Sequence, residues 1–104
     1  MIQYDSFIIG QIISIDRFGN LITNIDIKTL TDFQKTDSEK RLEIWIQTHV
    51  IAGLSKTYPN AAPSSPLALI GSRNHLEIAV NGGNASDLLG VGVNAEVQVR
   101  LITA

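Results

Sequence analysis

The sequence predicts an all-β fold: a small β-barrel of about six or seven short strands, with one or two short helical turns. Two observations lead there. Short runs rich in isoleucine, valine and leucine recur along the chain, some alternating with polar residues and some apolar throughout. Between them stand clusters of glycine, asparagine, serine and proline, and no segment carries the sustained 3.6-residue period of a long helix.

Residues 7–16 (FIIGQIISID) open the pattern. Their near-continuous apolarity predicts a strand covered on both faces, with Gly10 marking a bulge or a close approach. Residues 17–20 (RFGN) have turn chemistry, because Gly19 and Asn20 tolerate positive φ, and residues 21–27 (LITNIDI) form the returning strand. Residues 28–33 suit one short helical turn, and the wholly polar stretch 34–40 (QKTDSEK) reads as an exposed loop. Alternation is clean from 41 to 48: Leu42, Ile44 and Ile46 face one way, Glu43, Trp45 and Gln47 the other. Trp45 therefore lies on the polar face, either as a half-exposed aromatic or as a subunit contact. Residues 55–66 hold all three prolines and read as a loop. Strands resume at 67–70 and 75–80. A tight turn at 81–84 (NGGN) leads into a short helix with Asn84 as N-cap and Gly90 as stop. Residues 95–103 (AEVQVRLIT) close the series with Val97, Val99 and Leu101 inward.

At 104 residues the chain is read as one domain, 1–104, with no room for a second core. It has no cysteine, which excludes disulfides, thiolate metal sites and cysteine nucleophiles. Its 8 basic and 10 acidic residues give a net charge of −2, without the basic footprint of a nucleic-acid binder. Charged residues are only 17% of the chain, so the surface is expected to be apolar enough to cover against a partner. No run approaches the roughly 20 apolar residues that span a bilayer. The opening residues MIQYD lack the basic n-region of a signal peptide, and a cytoplasmic location is expected.

Conventional catalytic signatures are missing. The two histidines, His49 and His75, stand in no metal-ligand spacing; His75 and Glu77 share a strand face, but two ligands do not make a site. No Gly-x-Ser-x-Gly elbow occurs, and NGGN lacks the lysine of a phosphate loop. Neither a catalytic residue nor a metal ligand is assigned. Two segments nonetheless exceed what an ordinary β domain needs. Residues 15–25 (IDRFGNLITNI) place an aromatic beside carboxamides, which suits stacking and edge recognition of a flat heterocycle. Composition alone favours the plainer alternative, a hairpin turn with Phe18 in the core. Residues 70–85 (IGSRNHLEIAVNGGNA) offer Ser72 and Arg73 as a carboxylate clamp and an open glycine turn that exposes backbone. The plainer alternative there is a surface arginine and a tight turn.

Taken in order, IDRFGNLITNI, then Thr57-Tyr58, then ALIGSRNHLEIAVNGGNASDLLG, the sequence resembles the C-terminal domain of the S-adenosylmethionine hydroxide adenosyltransferases, from about residue 10 to 101. That family includes fluorinating and chlorinating enzymes. The resemblance implies a subunit with a larger α/β N-terminal domain and a small C-terminal barrel, assembled as a homotrimer. S-adenosylmethionine would lie between one subunit's N-terminal domain and its neighbour's C-terminal domain, as substrate or ligand and with no separate cofactor. Water or halide then attacks the ribose C5′ and displaces methionine; the hydrolytic products are adenosine and methionine.

Carried onto this sequence, the resemblance implies that Asp16 binds the methionine amino group and that Phe18 and Asn20 contact the adenosine. Tyr58 would pack near the adenine, Ser72 and Arg73 would hold the methionine carboxylate, and Val80, Asn81 and Gly82 would meet the adenine edge through backbone. Val80 stands where the fluorinating enzyme has a charged residue, as in the hydrolytic branch, whereas Arg73 looks like the halogenating branch. The Asp-Arg-His group that positions water belongs to the N-terminal domain. The expected function is thus an S-adenosylmethionine- or adenosine-binding domain that supplies half a site and is not catalytic alone. The alternative is a structural or oligomerisation barrel that has lost the ligand.

Overall fold

A computed structural model describes residues 1–4, 6–55 and 64–103. Its elements run β1 (Ile2–Gln3), β2 (Phe7–Ile15), β3 (Leu21–Asp26), α1 (Ile27–Lys35), β4 (Lys40–Ile46), β5 (His49–Ala52), β6 (Pro66–Ile70), β7 (His75–Val80), α2 (Ala85–Leu89) and β8 (Glu96–Thr103). All strand pairs are antiparallel, in the order β5-β4-β8-β2-β3-β7-β6, with β1 added to the start of β2. Past β5, Gly53 N–H donates to the Leu42 carbonyl and Ser55 N–H to that of Ala68 on β6. The two ends of the sheet are thereby drawn together into a nearly closed seven-stranded barrel, as expected.

The interior follows from strand alternation. Ile8 and Ile12 of β2, Leu42, Ile44 and Ile46 of β4, Leu76, Ile78 and Val80 of β7, and Val97 and Val99 of β8 fill one core. A second small cluster, Leu67, Leu69 and Ala79, occupies the opposite face of β6 and β7. The outer face of this edge is therefore also covered, and Glu77, two residues before Ala79, is buried with it.

Gly10 marks a close approach rather than a bulge. A Cβ there would stand 2.6 Å from both Asn24 Oδ1 and Ile25 Cγ1. Asn24 Oδ1 already accepts from Gln11 N–H at 2.9 Å, beside a register shift that falls between Ile12 and Ser14. Gly10→Ala is expected to lose about 1–3 kcal/mol through overpacking, measurable as a lower urea midpoint with an unchanged slope. A midpoint equal to wild type would refute this reading.

Two elements differ from the sequence expectation. The helical turn at 28–33 is a nine-residue helix, N-capped by Asp26, whose Oδ1 accepts from Thr29 N–H at 2.7 Å. Gln34 and Lys35 extend that helix and Lys40 begins β4, so the exposed stretch expected at 34–40 is a loop only over 36–39. An unexpected strand, β5, pairs with β4 through a turn at Gln47, which takes φ 54°. The short helix after residue 84 is as expected: Asn84 accepts from Asp87 N–H at 3.0 Å, and Gly90 ends the helix in the left-handed region at φ 66°. Trp45 is half-buried on the outer face, under the Arg100 guanidinium at 4.4 Å, and its ring N–H donates to Glu43. No helix among the described residues is long and apolar enough to cross a membrane.

Candidate functional site

The turn between β2 and β3 is organised by one carboxylate. Asp16 Oδ1 accepts from Phe18 N–H at 2.9 Å and from Asn20 N–H at 3.0 Å, while Oδ2 accepts from the Asn20 side-chain amide at 3.0 Å. Burial opposes the charge on Asp16. The hydrogen bonds from Asn20 and Phe18, with the positive charge of Arg17, outweigh that cost and hold the carboxyl below its usual range. The turn presents Phe18 outward, 62% exposed, with the Arg17 guanidinium 4.9 Å from the ring centre. Phe18 is therefore not a core residue, contrary to what composition favoured. Gly19 takes φ +82°, and a Cβ on it would collide with the Asn84 side chain. Its carbonyl accepts from Ser86 N–H at 3.0 Å, which docks the turn on the start of α2.

Across from Phe18 lies the turn after β7. Phe18, Asn20, Val80, Gly82, Gly83 and Asn84 edge an open hollow of about 660 Å³. Gly82 takes φ +74°, is exposed, and has open space where a Cβ would stand, so a planar ligand can approach its peptide. The Val80 carbonyl accepts from Gly83 N–H at 3.1 Å and the Asn81 carbonyl from Ser64 N–H at 3.0 Å. The Val80 carbonyl retains a second lone pair. The Val80 side chain itself is buried in the core.

Ser72 and Arg73 stand at the opposite end of β7, at the tip of a hairpin closed by Gly71 N–H to the His75 carbonyl and Asn74 N–H to the Gly71 carbonyl, both 3.0 Å. Both side chains are exposed, and no hydrogen bond from the described residues engages either. Six-residue β7 separates this tip from the glycine turn by roughly 20 Å along the backbone. A single ligand touching both ends would have to be elongated, with a flat group at one end and an anion at the other. The structure thus gathers Asp16, Phe18, Asn20, Val80, Asn81 and Gly82 and sets Ser72 and Arg73 apart; Tyr58 lies outside the described residues.

Glu77, which the sequence places on one strand face with His75, is not among the expected site residues. It sits midway along β7 and is only 8% exposed. Burial and the negative charge of Asp16 push its carboxyl above the usual range, against the opposing charges of Arg73 and His75. No group of three or more metal-ligating side chains forms among the described residues.

The family defined as the SAM hydroxide adenosyltransferase C-terminal domain matches residues 10–98. The chain is 28% identical over 93 residues to a protein of Thermus thermophilus named (R)-S-adenosyl-L-methionine hydrolase, covering 89% of this chain and 31% of that protein. Among solved structures, an uncharacterized conserved protein from Thermotoga maritima aligns with a TM-score of 0.74 at 27% identity, over 95% of this chain and 37% of the other. A conserved hypothetical protein from Thermus thermophilus aligns with a TM-score of 0.66 at 27% identity, over 90% and 34% respectively. The chain spans about a third of the length of these relatives. It belongs to the SAM hydroxide adenosyltransferase C-terminal domain family.

Proposed function

We propose that this domain binds the adenosine portion of S-adenosylmethionine and supplies half of a site that a larger N-terminal-type domain completes. The observation that carries the reading is the exposed Phe18 ring, held by the Asp16 turn opposite the bare Gly82–Gly83 peptide across an open hollow. A solvent-exposed phenylalanine costs solubility unless something covers it, and a purine face is a natural cover. The adenine stacks on Phe18, Asn20 and the backbone of 80–82 address its edge, and Tyr58 packs nearby. Asp16 receives the ligand's ammonium, and Ser72 and Arg73 its carboxylate.

The groups that activate water come from the partner domain, where positioning and electrostatics do the catalytic work. The reaction of the completed site is hydrolysis to adenosine and methionine. Exposed Ile13, Ile15, Leu88 and Val93 supply apolar surface for that partner, in an assembly expected to be a homotrimer.

Because a half-site leaves its ligand largely solvated, the isolated chain binds weakly, and amide NMR is the suitable readout. Adenosine is expected to shift the amides of residues 18–20 and 80–84. Phe18→Ala should weaken it about tenfold or more, since stacking on one aromatic is worth roughly 1–3 kcal/mol. Unperturbed amides at millimolar adenosine would leave the ligand-free structural barrel as the better account.

A further inference from the structure

We propose that Glu77 is a second ligand-binding carboxylate, which with Asp16 receives the α-ammonium of an amino-acid-bearing ligand while Arg73 takes its carboxylate. The inference deepens the function proposed above and rests on it.

The argument begins with position. The register pairs Glu77 with Ile22 of β3 and Leu69 of β6, so those strands face it with apolar side chains. The charged and titratable groups around it are Asp16 from the β2–β3 turn, Arg73 from the β6–β7 hairpin and His75 from its own strand. Glu77 thus lies within the electrostatic reach of both separated ends of the candidate site. The residue is more than nine-tenths buried, no hydrogen bond or ion pair from the described residues reaches its carboxylate, and its oxygens keep some contact with the surface. His75 Nδ1 close by is also buried without a partner.

The local backbone makes room for this group. A Cβ on Gly71 would overlap the Glu77 carboxylate, so that hairpin position is shaped around it. The arrangement is unfavourable to folding alone. Since the folded pKa is raised, the carboxyl's contribution to stability is fully present only below its unfolded pKa and is lost as pH rises through the folded value. A largely buried carboxylate with no protein donor but with oxygens that reach the surface is a natural acceptor for a cation from outside.

An ammonium matches these two carboxylates in hydrogen-bonding capacity. It carries three N–H donors and accepts nothing. Asp16 has already committed Oδ1 to two backbone N–H groups and Oδ2 to the Asn20 amide. One further carboxylate with its full accepting capacity completes the match. Both charges of an α-amino acid sit on one carbon, so the long Arg73 side chain must reach back along β7 toward Glu77, whose carboxyl already feels its charge, for the carboxylates and the guanidinium to hold one zwitterion.

The test is a carboxyl-carbon NMR titration of the wild-type 104-residue chain against pH, alone and with methionine, S-adenosylmethionine, adenosine, or methionine lacking its amino group. Methionine and S-adenosylmethionine should lower the Glu77 pKa, whereas adenosine and the desamino analogue should leave it unmoved. Glu77→Gln should weaken methionine and S-adenosylmethionine at least tenfold and keep adenosine within twofold. A Glu77 titration indifferent to both amino-acid ligands overturns this inference, whether or not the variant folds. Wild-type chain that shows no adenosine contact at Phe18 overturns the broader reading instead, and the methionine titration still decides Glu77.

Discussion

Replacing Phe33 with alanine is expected to remove about 3–5 kcal/mol of stability, the usual cost of deleting a fully buried aromatic ring. Phe33 is 0% exposed and is the one aromatic fully buried among the described residues. It lies on α1, whose nine residues are too few to hold a helix in water without tertiary packing. Leu30 and Phe33, three residues apart, put one face of α1 into the main core, so the ring fastens the helix to the barrel as well as filling space. A domain of this size has a total stability of roughly 5–15 kcal/mol. The variant should therefore melt about 15 °C or more below wild type. Thr31→Ala, on the exposed face of the same helix, should stay within about 0.5 kcal/mol. If Phe33→Ala lost less than 1 kcal/mol, the helix would not be the anchored element described here.

Phe33 also shows where the sequence was readable and where it was not. Strand patterning is a local signal, and β3, β4, β7 and β8 follow it closely enough to predict the barrel and most of its core, whereas β2, expected to be covered on both faces, exposes Gln11, Ile13 and Ile15 on one of them. The extent of α1 is concealed because its N-cap, Asp26, closes an apolar-polar alternation that looks like continuing strand, and because its last two residues, Gln34 and Lys35, are polar and face water. β5 follows a turn without glycine, proline or asparagine, so nothing punctuates its start.

The site divides the same way. That Asn20 and Gly82 would sit in turns was readable from residue type, as was the capping of α2, whereas Asp16, expected at the end of the strand, lies just past it. The exposure of Phe18 was not, because it depends on how Asp16 pins the turn. Glu77 was least visible. A glutamate in an alternating strand normally points to water, and only the covering of the outer face at Leu67, Leu69 and Ala79 makes this one buried. A trace of that covering exists in the unbroken apolarity of LALI, residues 67–70, which asks for burial on both faces.

Asp16→Ala should damage both fold and binding, and comparison with Asp16→Asn should separate the two. Alanine leaves three donors, the N–H groups of Phe18 and Asn20 and the Asn20 amide, without their acceptor. The turn is partly solvated, so water recovers some of these bonds, and a loss of about 2–3 kcal/mol is expected rather than the sum of three charged hydrogen bonds. With the turn released, Phe18 is no longer held across from Gly82, and adenosine contact should fall with stability. Asparagine keeps Oδ1, the atom that accepts both backbone N–H groups, and changes only the oxygen facing the Asn20 amide. Its stability should remain within about 1 kcal/mol of wild type, and adenosine should still shift the Phe18 amide. The charge, however, is gone. Methionine and S-adenosylmethionine should then bind roughly tenfold more weakly, one charge-assisted hydrogen bond to an ammonium being worth about 1.5–3 kcal/mol. Lost charge at Asp16 should also lower the Glu77 carboxyl pKa, because the Asp16 charge is one of the two influences that raise it. An Asp16→Asn chain that binds methionine as wild type does would confine Asp16 to holding the turn and leave Glu77 as the sole carboxylate for the ammonium.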